Sequence, residues 1–550
     1  MKLTNAWTFR AMPAELRQRY LRDGWWDEST LGELLLEWLA AEPELSFNVW
    51  STRQSSSIRF GEMRDRVLRL ASGLRRQGVG RGDAICVYLP NSVDAAVSVM
   101  AVIVAGAIVV PIAPFYGLLE LKYILGRSAA RMLITTEAPV GGRLDAIQEM
   151  RADFPALIDV RVIGETVPPG MNSYEALFDP MPPAVISKAD PDDVVIIGFT
   201  SGTTASPKGV VHCHRSLCSE LRHHLDRLPW PSGAQLVGGP IAHFTGMLCG
   251  MFLPMFKRRS VHLIDGWDAG LVLDVMRKHK VGTGTGTPFF LTSIMNHPQF
   301  VPEDVRNVGA VFLGAATVPA SFAEGLGAMG VVAARTYGST EQPTIFGGMP
   351  TDPADKRHRT DGALLAGVEV KLLDELGNEV PVGAEGEVVC RGPDLCAGYI
   401  DEEMNRTQFD DEGWFRTGDV AVRDADGFYT ITDRIKDVII RNGVKIGASE
   451  VEQVLLRFPG LIECAVVAAP DERTGERGHA FLRLKPGAEA PSLENLRVLL
   501  EQSGLARQKW PENIEVVENF PRTPAGKVKK AELRDELRRR HAERTAVKTA

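Results

Sequence analysis

The stretch FTSGTTASPKG, residues 199–209, has the composition of a loop that binds phosphate groups. It follows the apolar run VVIIGF, which predicts a buried strand. Open α/β sheets bind ligands beyond the carboxyl ends of their strands, where this loop would lie. Hydroxyl groups and the N–H groups of a glycine loop can together hold an anion. The candidate phosphate-binding residues are Thr200, Ser201, Gly202, Thr203, Thr204 and Lys208.

This loop differs from the common NTPase loop, G-x-x-x-x-G-K-[ST]. Pro207 replaces the second glycine and has no N–H group to offer a phosphate. Gly209 follows Lys208, where the NTPase loop has a hydroxyl group for Mg²⁺. A surface turn rich in serine and threonine is the alternative interpretation, which the position after a buried strand disfavours.

The same loop is the first of five sequence blocks that match one family in order and spacing. Apart from Ala205, where glycine is usual, it fits [FYW]-T-S-G-[ST]-T-G-x-P-K-G. The chain thereby resembles the AMP-forming adenylate superfamily of acyl-CoA synthetases, peptide-synthetase adenylation domains and luciferases, over nearly its whole length. The other four blocks are YGSTE (337–341), WFRTGD (414–419), DRIKD (433–437) and PRTPAGK (521–527).

The resemblance implies that Lys527 is the central catalytic residue. A carboxylate becomes reactive toward a thiol once it is transferred to AMP, because AMP is a good leaving group. The carboxylate and the ATP α-phosphate are both anions, so positive charge is needed where they meet. Lys527 would bridge them. A solvated lysine in the basic run 527–530 is the alternative.

The resemblance also assigns roles to other residues around the phosphates. Thr340 would contact the α-phosphate, and Glu341 would bind Mg²⁺, which prefers hard oxygen ligands. Lys208 would lie near the pyrophosphate. His243 would gate or line the acyl site, with a structural histidine as the alternative.

For the nucleoside, the resemblance implies three contacts. Tyr337 would stack on adenine, Asp419 would accept hydrogen bonds from both ribose hydroxyls, and Arg434 would add a ribose contact. The remaining ATP-binding candidates are Gly314, Ala315, Ala316, Gly338 and Ser339.

A second half-reaction with coenzyme A (CoA) is also implied. The family turns its C-terminal domain about a hinge residue, here Lys436, so that Lys527 leaves and a tunnel forms. Asn442 and Gly443 would line this tunnel, and the missing side chain of Gly443 lets a ligand pass close to the backbone. Ala448 replaces the usual proline, with little expected effect.

The stretch PIAHFTG, residues 240–246, carries the acyl-pocket signature of the family. His243, Phe244, Gly246 and Met247 are the candidate pocket residues. The segment 242–264 contains no Asp to pair with an ammonium group, and an unpaired polar group would be costly in such a pocket. We therefore expect an apolar acid: a medium-chain fatty acid, an alicyclic acid or a steroid side-chain acid. The N-terminal segment and residues 504–530 also resemble bacterial cyclohexanecarboxylate–CoA ligase-like members.

Alternating strand and helix patterns must position these groups. The pattern predicts an α/β fold: a large N-terminal domain, residues 1–433, of layered α/β subdomains plus a small β-barrel-like part at about 367–433. A mobile α+β lid domain would follow at 434–550. The predicted strands are Ala84–Leu89, Val194–Phe199, Val261–Ile264 and Ala310–Leu313, and the predicted helices are Leu34–Ala41, Arg64–Gln77 and Leu271–His279.

Composition narrows the class of protein. The net charge of −8 over 550 residues, with 24% charged residues, does not indicate a nucleic-acid-binding protein. Seven scattered cysteines favour free thiols in a reducing compartment, hence a cytoplasmic location. Residues 95–115 carry no charge, but glycine and proline interrupt them, which predicts a buried helix and a strand at 107–111 rather than a membrane span. A homodimer is compatible with these observations.

Two other functions fit parts of the same pattern. An adenylation enzyme that loads a free-standing carrier protein would share the first half-reaction. A nucleotide-binding pseudoenzyme that acts as a scaffold belongs to another class, and the presence of Lys527, Glu341 and Asp419 disfavours it. Purified CoA as acceptor, and ATP binding without turnover, would distinguish these possibilities.

Overall fold

The computed structural model describes residues 10, 12–114, 116–137, 144–182, 189–200, 207–225, 233–316, 318–435, 437–441, 444–471, 473–523 and 526–549. Its α-helices are α1 (Ala14–Arg22), α2 (Leu31–Ala41), α3 (Phe60–Arg76), α4 (Val93–Val104), α5 (Leu118–Ser128), α6 (Leu144–Met150), α7 (His214–Ser219), α8 (Leu253–Phe256), α9 (Ala269–His279), α10 (Pro288–Met295), α11 (Ala320–Ala328), α12 (Ala354–Arg359), α13 (Glu402–Gln408), α14 (Ala448–Leu455), α15 (Leu493–Gln502) and α16 (Lys530–Thr549). Short 3₁₀ segments are Arg151–Asp153, Glu175–Leu177, Pro302–Asn307 and Arg507–Lys509, and π-helical segments are Glu220–Leu225 and Gly246–Phe252.

The strands are β1 (Ser46–Trp50), β2 (Ser56–Arg59), β3 (Ala84–Tyr88), β4 (Ile108–Ile112), β5 (Met132–Thr136), β6 (Asp159–Ile163), β7 (Asn172–Ser173), β8 (Val194–Thr200), β9 (Lys208–Cys213), β10 (Gln235–Val237), β11 (Val261–Ile264), β12 (Gly282–Thr283), β13 (Ala310–Leu313), β14 (Val332–Tyr337), β15 (Phe346–Gly347), β16 (Gly362–Leu364), β17 (Glu369–Leu373), β18 (Glu385–Arg391), β19 (Gly398–Tyr399), β20 (Phe415–Arg423), β21 (Phe428–Arg434), β22 (Ile439–Arg441), β23 (Val444–Ile446), β24 (Leu461–Asp471), β25 (Gly475–Leu484) and β26 (Asn513–Val516).

Within the described ranges these strands form four sheets. Two are mainly parallel, with the orders β12-β10-β11-β1-β2 and β19-β9-β8-β4-β3-β5-β6-β7. The third, β13-β14-β15-β16-β21-β20-β18-β17, is antiparallel after its first pair. The fourth contains β22 to β26 and uses residues from 439 onward. The α/β prediction is therefore confirmed, and the hairpin-rich strands continue a sheet that β13 and β14 begin.

Apolar periodicity identified the central elements correctly. β11 and β13 have the predicted bounds, and β3 and β8 differ from the prediction by one residue at their ends. Helix α2 begins three residues earlier than predicted because Thr30 caps it. The Thr30 Oγ1 accepts from the Glu33 N–H at 3.3 Å, and the Glu33 carboxylate accepts from the Thr30 N–H at 3.1 Å.

The uncharged segment 95–115 lies in the core. Helix α4 is buried on all sides from Ala95 to Val104, and β4 pairs in parallel with β3 and β8. The Ser92 hydroxyl begins this helix by accepting from the Ala95 N–H at 3.0 Å. A helix surrounded by protein can be apolar all round. No helix in the described parts of the chain combines the length and apolar character that a membrane crossing needs.

All seven cysteines are free thiols, as predicted from their spacing. Cys86 lies in β3, Cys390 in β18 and Cys464 in β24, so three of the sheets each contain a fully packed thiol. Burial raises the pKa of Cys86 to about 12 and raises the pKa of Cys390 and Cys464 well above the usual value.

The hairpins of the third sheet position two charged residues beside each other. The β20–β21 turn is held by the Asp424 carboxylate, which accepts from the N–H groups of Asp426 and Phe428. Asp419 faces Arg434 on the adjacent strand, beyond a register shift between Val420 and Ala421. Opposite charges directly across an antiparallel pair attract one another.

Helix α3 approaches the backbone near Leu177 so closely that only glycine fits at position 73. A Cβ atom on Gly73 would lie 1.5 Å from the Leu177 carbonyl oxygen, whereas the exposed Gly325 in α11 has no neighbour within 4 Å. We expect Gly73→Ala to destabilise the fold by about 3 kcal/mol, whereas Gly325→Ala gains helix propensity of up to about 1 kcal/mol. Thermal unfolding of both variants checks this, and equal unfolding midpoints would contradict the close approach.

Candidate active site

One large cavity of about 1400 Å³ collects most of the predicted site residues. Its walls come from the carboxyl ends of β8, β13 and β14, from β20 and β21, and from the segment that precedes α16. Parallel strands β13 and β14 end side by side, so the residues that follow them meet at one edge. The predicted residues that line this cavity are Thr200, Lys208, His243, Phe244, Gly314, Ala315, Ala316, Tyr337, Gly338, Ser339, Thr340, Glu341, Asp419, Arg434 and Lys527.

Both ends of the predicted phosphate loop reach the cavity. Thr200 ends β8 and Lys208 begins β9, and the two residues are partners in the antiparallel register. The Lys208 ammonium lies over the Tyr399 ring, 5.9 Å from its centroid. Residues 201–206, among them Ser201, Gly202, Thr203 and Thr204, lie outside the described residues.

The segment after β14 forms a tight turn that presents Thr340 and Glu341. The Ser339 N–H donates to the Gln342 carbonyl at 2.8 Å. A Cβ atom on Gly338 would lie 1.9 Å from the Pro343 carbonyl oxygen, so the turn closes only around glycine. The sequence block YGSTE therefore owes part of its composition to this close backbone approach.

Two groups that sequence reasoning did not identify hold this turn. The Tyr399 hydroxyl donates to Glu341 Oε1 at 2.6 Å, and His212 Nε2 donates to the Thr340 carbonyl oxygen at 2.8 Å. Burial lowers the pKa of His212 to about 4, so its ring is neutral near pH 7. Both residues come from strands that are distant in sequence, β19 and β9.

Asp419 contacts the side chains that we predict to bind adenine and ribose. Its Oδ2 accepts from the Tyr337 hydroxyl at 2.6 Å and from Arg434 at 3.2 Å, and Arg434 also forms an ion pair with Oδ1. The Asp419 charge raises the pKa of Arg434, while burial and the same carboxylate raise that of Tyr337. One face of Tyr337 packs on Phe346, with ring centroids 5.3 Å apart.

Residues 314–316 form the other wall at the end of β13. A Cβ atom on Gly314 would lie 2.4 Å from the Thr336 carbonyl oxygen, so this strand end tolerates no side chain. Ala315 has φ +63°, a left-handed conformation that is strained for alanine. Such strain persists only where surrounding contacts enforce it.

The segment 522–527 carries Lys527 into the cavity. The Thr523 carbonyl accepts from the Gly526 N–H at 2.8 Å, and the Thr523 hydroxyl oxygen accepts from the Lys527 N–H at 3.1 Å. The Arg522 guanidinium lies 4.8 Å from the centroid of the Phe289 ring. Gly526 lies against Thr287, the residue that precedes α10. A Cβ atom on Gly526 would lie 2.7 Å from Thr287 Oγ1.

His243 lies close enough to Lys527 to be affected by its charge. Burial, and then the Lys527 charge, lower the pKa of His243 to about 4. Among the described residues no group hydrogen-bonds to its Nδ1. A buried ring nitrogen without a protein partner is available to a ligand in the cavity.

The predicted acyl pocket is only partly reproduced. Phe244 lines the cavity, but Gly246 and Met247 do not. The π-helix that begins at Gly246 turns Met247 into the main core, where it is fully buried, and brings the next two residues, Leu248 and Cys249, to the cavity instead. Gly246 itself packs on the Pro240 carbonyl, 2.1 Å from where a Cβ atom would lie.

A buried charged network contributes Glu220 to the cavity wall. His224 Nδ1 lies 3.0 Å from Glu220 Oε2 and 3.5 Å from Asp394 Oδ2, and its Nε2 donates to the Ala366 carbonyl at 3.0 Å. Burial alone would lower the pKa of His224, but the charges of Asp394 and Glu220 outweigh it and raise that pKa well above its usual value. The three side chains could also hold a metal ion by spacing, but a protonated imidazole between two carboxylates already accounts for their arrangement.

The proposed hinge and tunnel residues, Lys436, Asn442 and Gly443, lie outside the described residues. Asp433 and Asp437, near the hinge position, both line the cavity. Asp437 forms an ion pair with Arg534 of α16.

Comparisons with known proteins show the family of this chain. The family model described as AMP-binding enzyme matches residues 36–400, and the one described as AMP-binding enzyme C-terminal domain matches residues 450–527. The chain is 30% identical to the medium-chain fatty-acid–CoA ligase of Escherichia coli (strain K12) over 531 residues, covering 95% of this chain and 93% of that protein. It is 32% identical to the feruloyl-CoA synthase of an Amycolatopsis species, covering 87% and 94%.

Solved structures show the same fold. ATP-bound MatB from Rhodopseudomonas palustris superposes with a TM-score of 0.80 at 25% identity, covering 92% of this chain and 98% of that one. The resemblance predicted from five sequence blocks is confirmed. The chain belongs to the AMP-binding enzyme family.

Proposed function

We propose that this enzyme is an AMP-forming acyl–CoA ligase that activates an apolar carboxylic acid and transfers it to CoA. The observation that carries the proposal is the meeting of Lys527, Glu341 and Asp419 in one cavity that also has an apolar end. Each of these groups matches one demand of the reaction: a positive charge for two anions, an oxygen ligand for a metal ion, and an acceptor for ribose hydroxyls.

In the first half-reaction a carboxylate oxygen bonds to the α-phosphorus of ATP. The bond from that phosphorus to the bridging oxygen breaks, and pyrophosphate leaves with the electron pair. The ammonium of Lys527 offsets the repulsion between the two anions, and Thr340 orients the α-phosphate. Lys208, with the loop that precedes it, holds the pyrophosphate end. Tyr337, Asp419 and Arg434 hold the nucleoside.

Glu341 is suited to bind Mg²⁺. It offers a carboxylate at the cavity wall, and among the described side chains Tyr399 alone hydrogen-bonds to it, through Oε1. Mg²⁺ is usually bound by one or two carboxylates together with substrate phosphates, which this arrangement allows. When bound, the ion would neutralise phosphate charge, and the Tyr399 hydroxyl fixes the orientation of its carboxylate ligand.

In the second half-reaction the CoA sulfur bonds to the acyl carbon, the bond from that carbon to the AMP oxygen breaks, and AMP leaves. The thiol proton is released to solvent. Lys436 as hinge, with Asn442 and Gly443 along the tunnel, is part of this proposal by resemblance alone. A carrier-protein thiol is the competing acceptor.

The acyl end of the cavity favours an apolar acid. Leu225, Phe244, Leu248, Cys249 and Phe312 line it, and such a wall gains free energy by covering hydrocarbon. Medium-chain fatty, alicyclic and steroid side-chain acids fit this chemistry. The names of the two relatives differ in their acid, so they support CoA ligation more than any one substrate. The seven free thiols support a cytoplasmic location.

The acid can be identified by ATP–pyrophosphate exchange across a panel of short-, medium- and long-chain fatty acids, cyclohexanecarboxylate, benzoates, bile-type acids and amino acids. We expect exchange with one apolar class, because the acyl wall is mainly apolar and its carboxylate, Glu220, is already hydrogen-bonded to His224 and Thr344. Adding CoA then tests the acceptor. Exchange without any CoA ester would favour a carrier protein, and ATP binding without exchange for any acid would favour the pseudoenzyme.

Replacing Lys527 separates the two half-reactions. We expect Lys527→Ala to slow pyrophosphate exchange by about a hundredfold or more, while thioester formation from supplied acyl-adenylate stays within about threefold of wild type. Lys529→Ala is the matched control, because that lysine is paired with Glu532 at 2.7 Å. Equal losses in both half-reactions would contradict the assigned role.

Replacing Glu341 tests the metal ligand. Glu341→Gln keeps the size of the side chain and an acceptor for Tyr399 but removes the charge. We expect the Mg²⁺ concentration for half-maximal exchange to rise by about tenfold or more. Glu387→Gln, another cavity-lining glutamate that is paired with Arg416, serves as the control. An unchanged Mg²⁺ requirement in Glu341→Gln would remove this residue from the metal site.

A further inference from the structure

His212 occupies a central position between the acyl wall and the catalytic turn. It lies in β9, opposite Ile196 of β8, and is completely buried. The His212 ring packs on Phe244 with centroids 4.8 Å apart and planes tilted by 40°. A buried polar ring in a strand needs partners for both nitrogens, so its two hydrogen bonds define what it does there.

The partners of His212 determine its tautomer. The Thr340 carbonyl oxygen, 2.8 Å from Nε2, can only accept a hydrogen bond, so Nε2 carries the hydrogen and donates. In the neutral ring Nδ1 is then an acceptor, and the Ser216 hydroxyl lies 3.0 Å away to donate to it. That hydroxyl has a single hydrogen, so the Cys213 carbonyl, also 3.0 Å away, competes with Nδ1 for it.

The hydrogen bond to Thr340 constrains more than one atom. The Thr340 carbonyl and the Glu341 N–H belong to one planar peptide unit, so fixing the oxygen fixes the direction in which Glu341 leaves the turn. The Glu341 carbonyl is held separately by the Cys396 N–H at 2.8 Å. Phe244 and Thr340, which both contact His212, also lie beside Gly198. A Cβ atom on Gly198 would be 2.5 Å from Phe244 and 3.5 Å from the Thr340 methyl group.

We propose that His212 is a positioning residue for the adenylation step, which orients Thr340 and Glu341 toward the ATP phosphates through its hydrogen bond to the Thr340 carbonyl. This inference rests on the proposed function. His212 does not line the cavity and acts through the turn that it holds. An error of about 1 Å in the position of catalytic groups can cost about a hundredfold in rate.

Two replacements of similar size separate hydrogen bonding from packing. His212→Gln retains an N–H donor near the position of Nε2, whereas His212→Met fills the space without a donor. We expect His212→Met to lower kcat for pyrophosphate exchange by about tenfold to a hundredfold with little change in the KM of the acid, and His212→Gln to remain within about fivefold of wild type. Calorimetric titration with ATP in the absence of acid should show the same order of affinities, Gln above Met.

A packing role predicts the opposite result. Met would then equal or exceed Gln, or the KM of the acid would rise at constant kcat because the Phe244 wall had moved, and either finding would overturn the proposal. If His212→Met does not fold, as thermal unfolding would reveal, Ser216→Ala takes its place. That change removes the donor to Nδ1 and leaves the ring intact, and we expect a several-fold loss of kcat; an unchanged kcat would also overturn the proposal.

The ATP titration keeps this test separate from the proposed function. If the wild-type protein catalyses no pyrophosphate exchange for any acid of the panel, the acyl–CoA ligase proposal fails. The order of ATP affinities still decides whether His212 orients the turn that contacts the nucleotide.

Discussion

The repulsion between two anions is the constraint on which the proposed site depends. A carboxylate and a phosphate must come within bonding distance, and water cannot screen them once the cavity is filled. The protein supplies positive charge from separate parts of the chain: Lys208 at the start of a strand and Lys527 on the segment before the last helix. Because Lys527 is carried by a segment that packs on Phe289 and Thr287, the cavity wall at the start of α10 and the C-terminal segment must be correctly placed together.

The two acidic groups of the site are also held in fixed orientations by other residues. Asp419 is oriented by strand register with Arg434, and Glu341 by the Tyr399 hydroxyl. Dipoles and charges that are fixed before the substrate arrives need no reorganisation during the reaction, which is how a folded site stabilises developing charge better than water does.

Sequence alone predicted much of this arrangement, for identifiable reasons. The strands β11 and β13 are short, mainly apolar runs, which are typical of buried strands. The motif residues follow strand ends, where α/β proteins bind ligands. His212 and Tyr399 were not predicted, because the residues of the turn that they hold are more than 50 residues away in sequence. Asp394 was not predicted either, because its partner His224 is similarly distant. Met247, a predicted pocket residue, lies in the main core, while Leu248 and Cys249, which follow it in the π-helical segment, line the cavity.

The buried cysteines give this protein a set of internal reporters. Cys86, Cys390 and Cys464 each sit in a different sheet, and burial keeps all three thiols protonated and inaccessible. A thiol-specific reagent can reach one of these cysteines only when its own sheet opens. Alkylation rates measured at each cysteine would therefore give the local opening free energy of three sheets in a single chain. Comparing those rates with and without nucleotide would show how strongly ligand binding stabilises each of the three sheets.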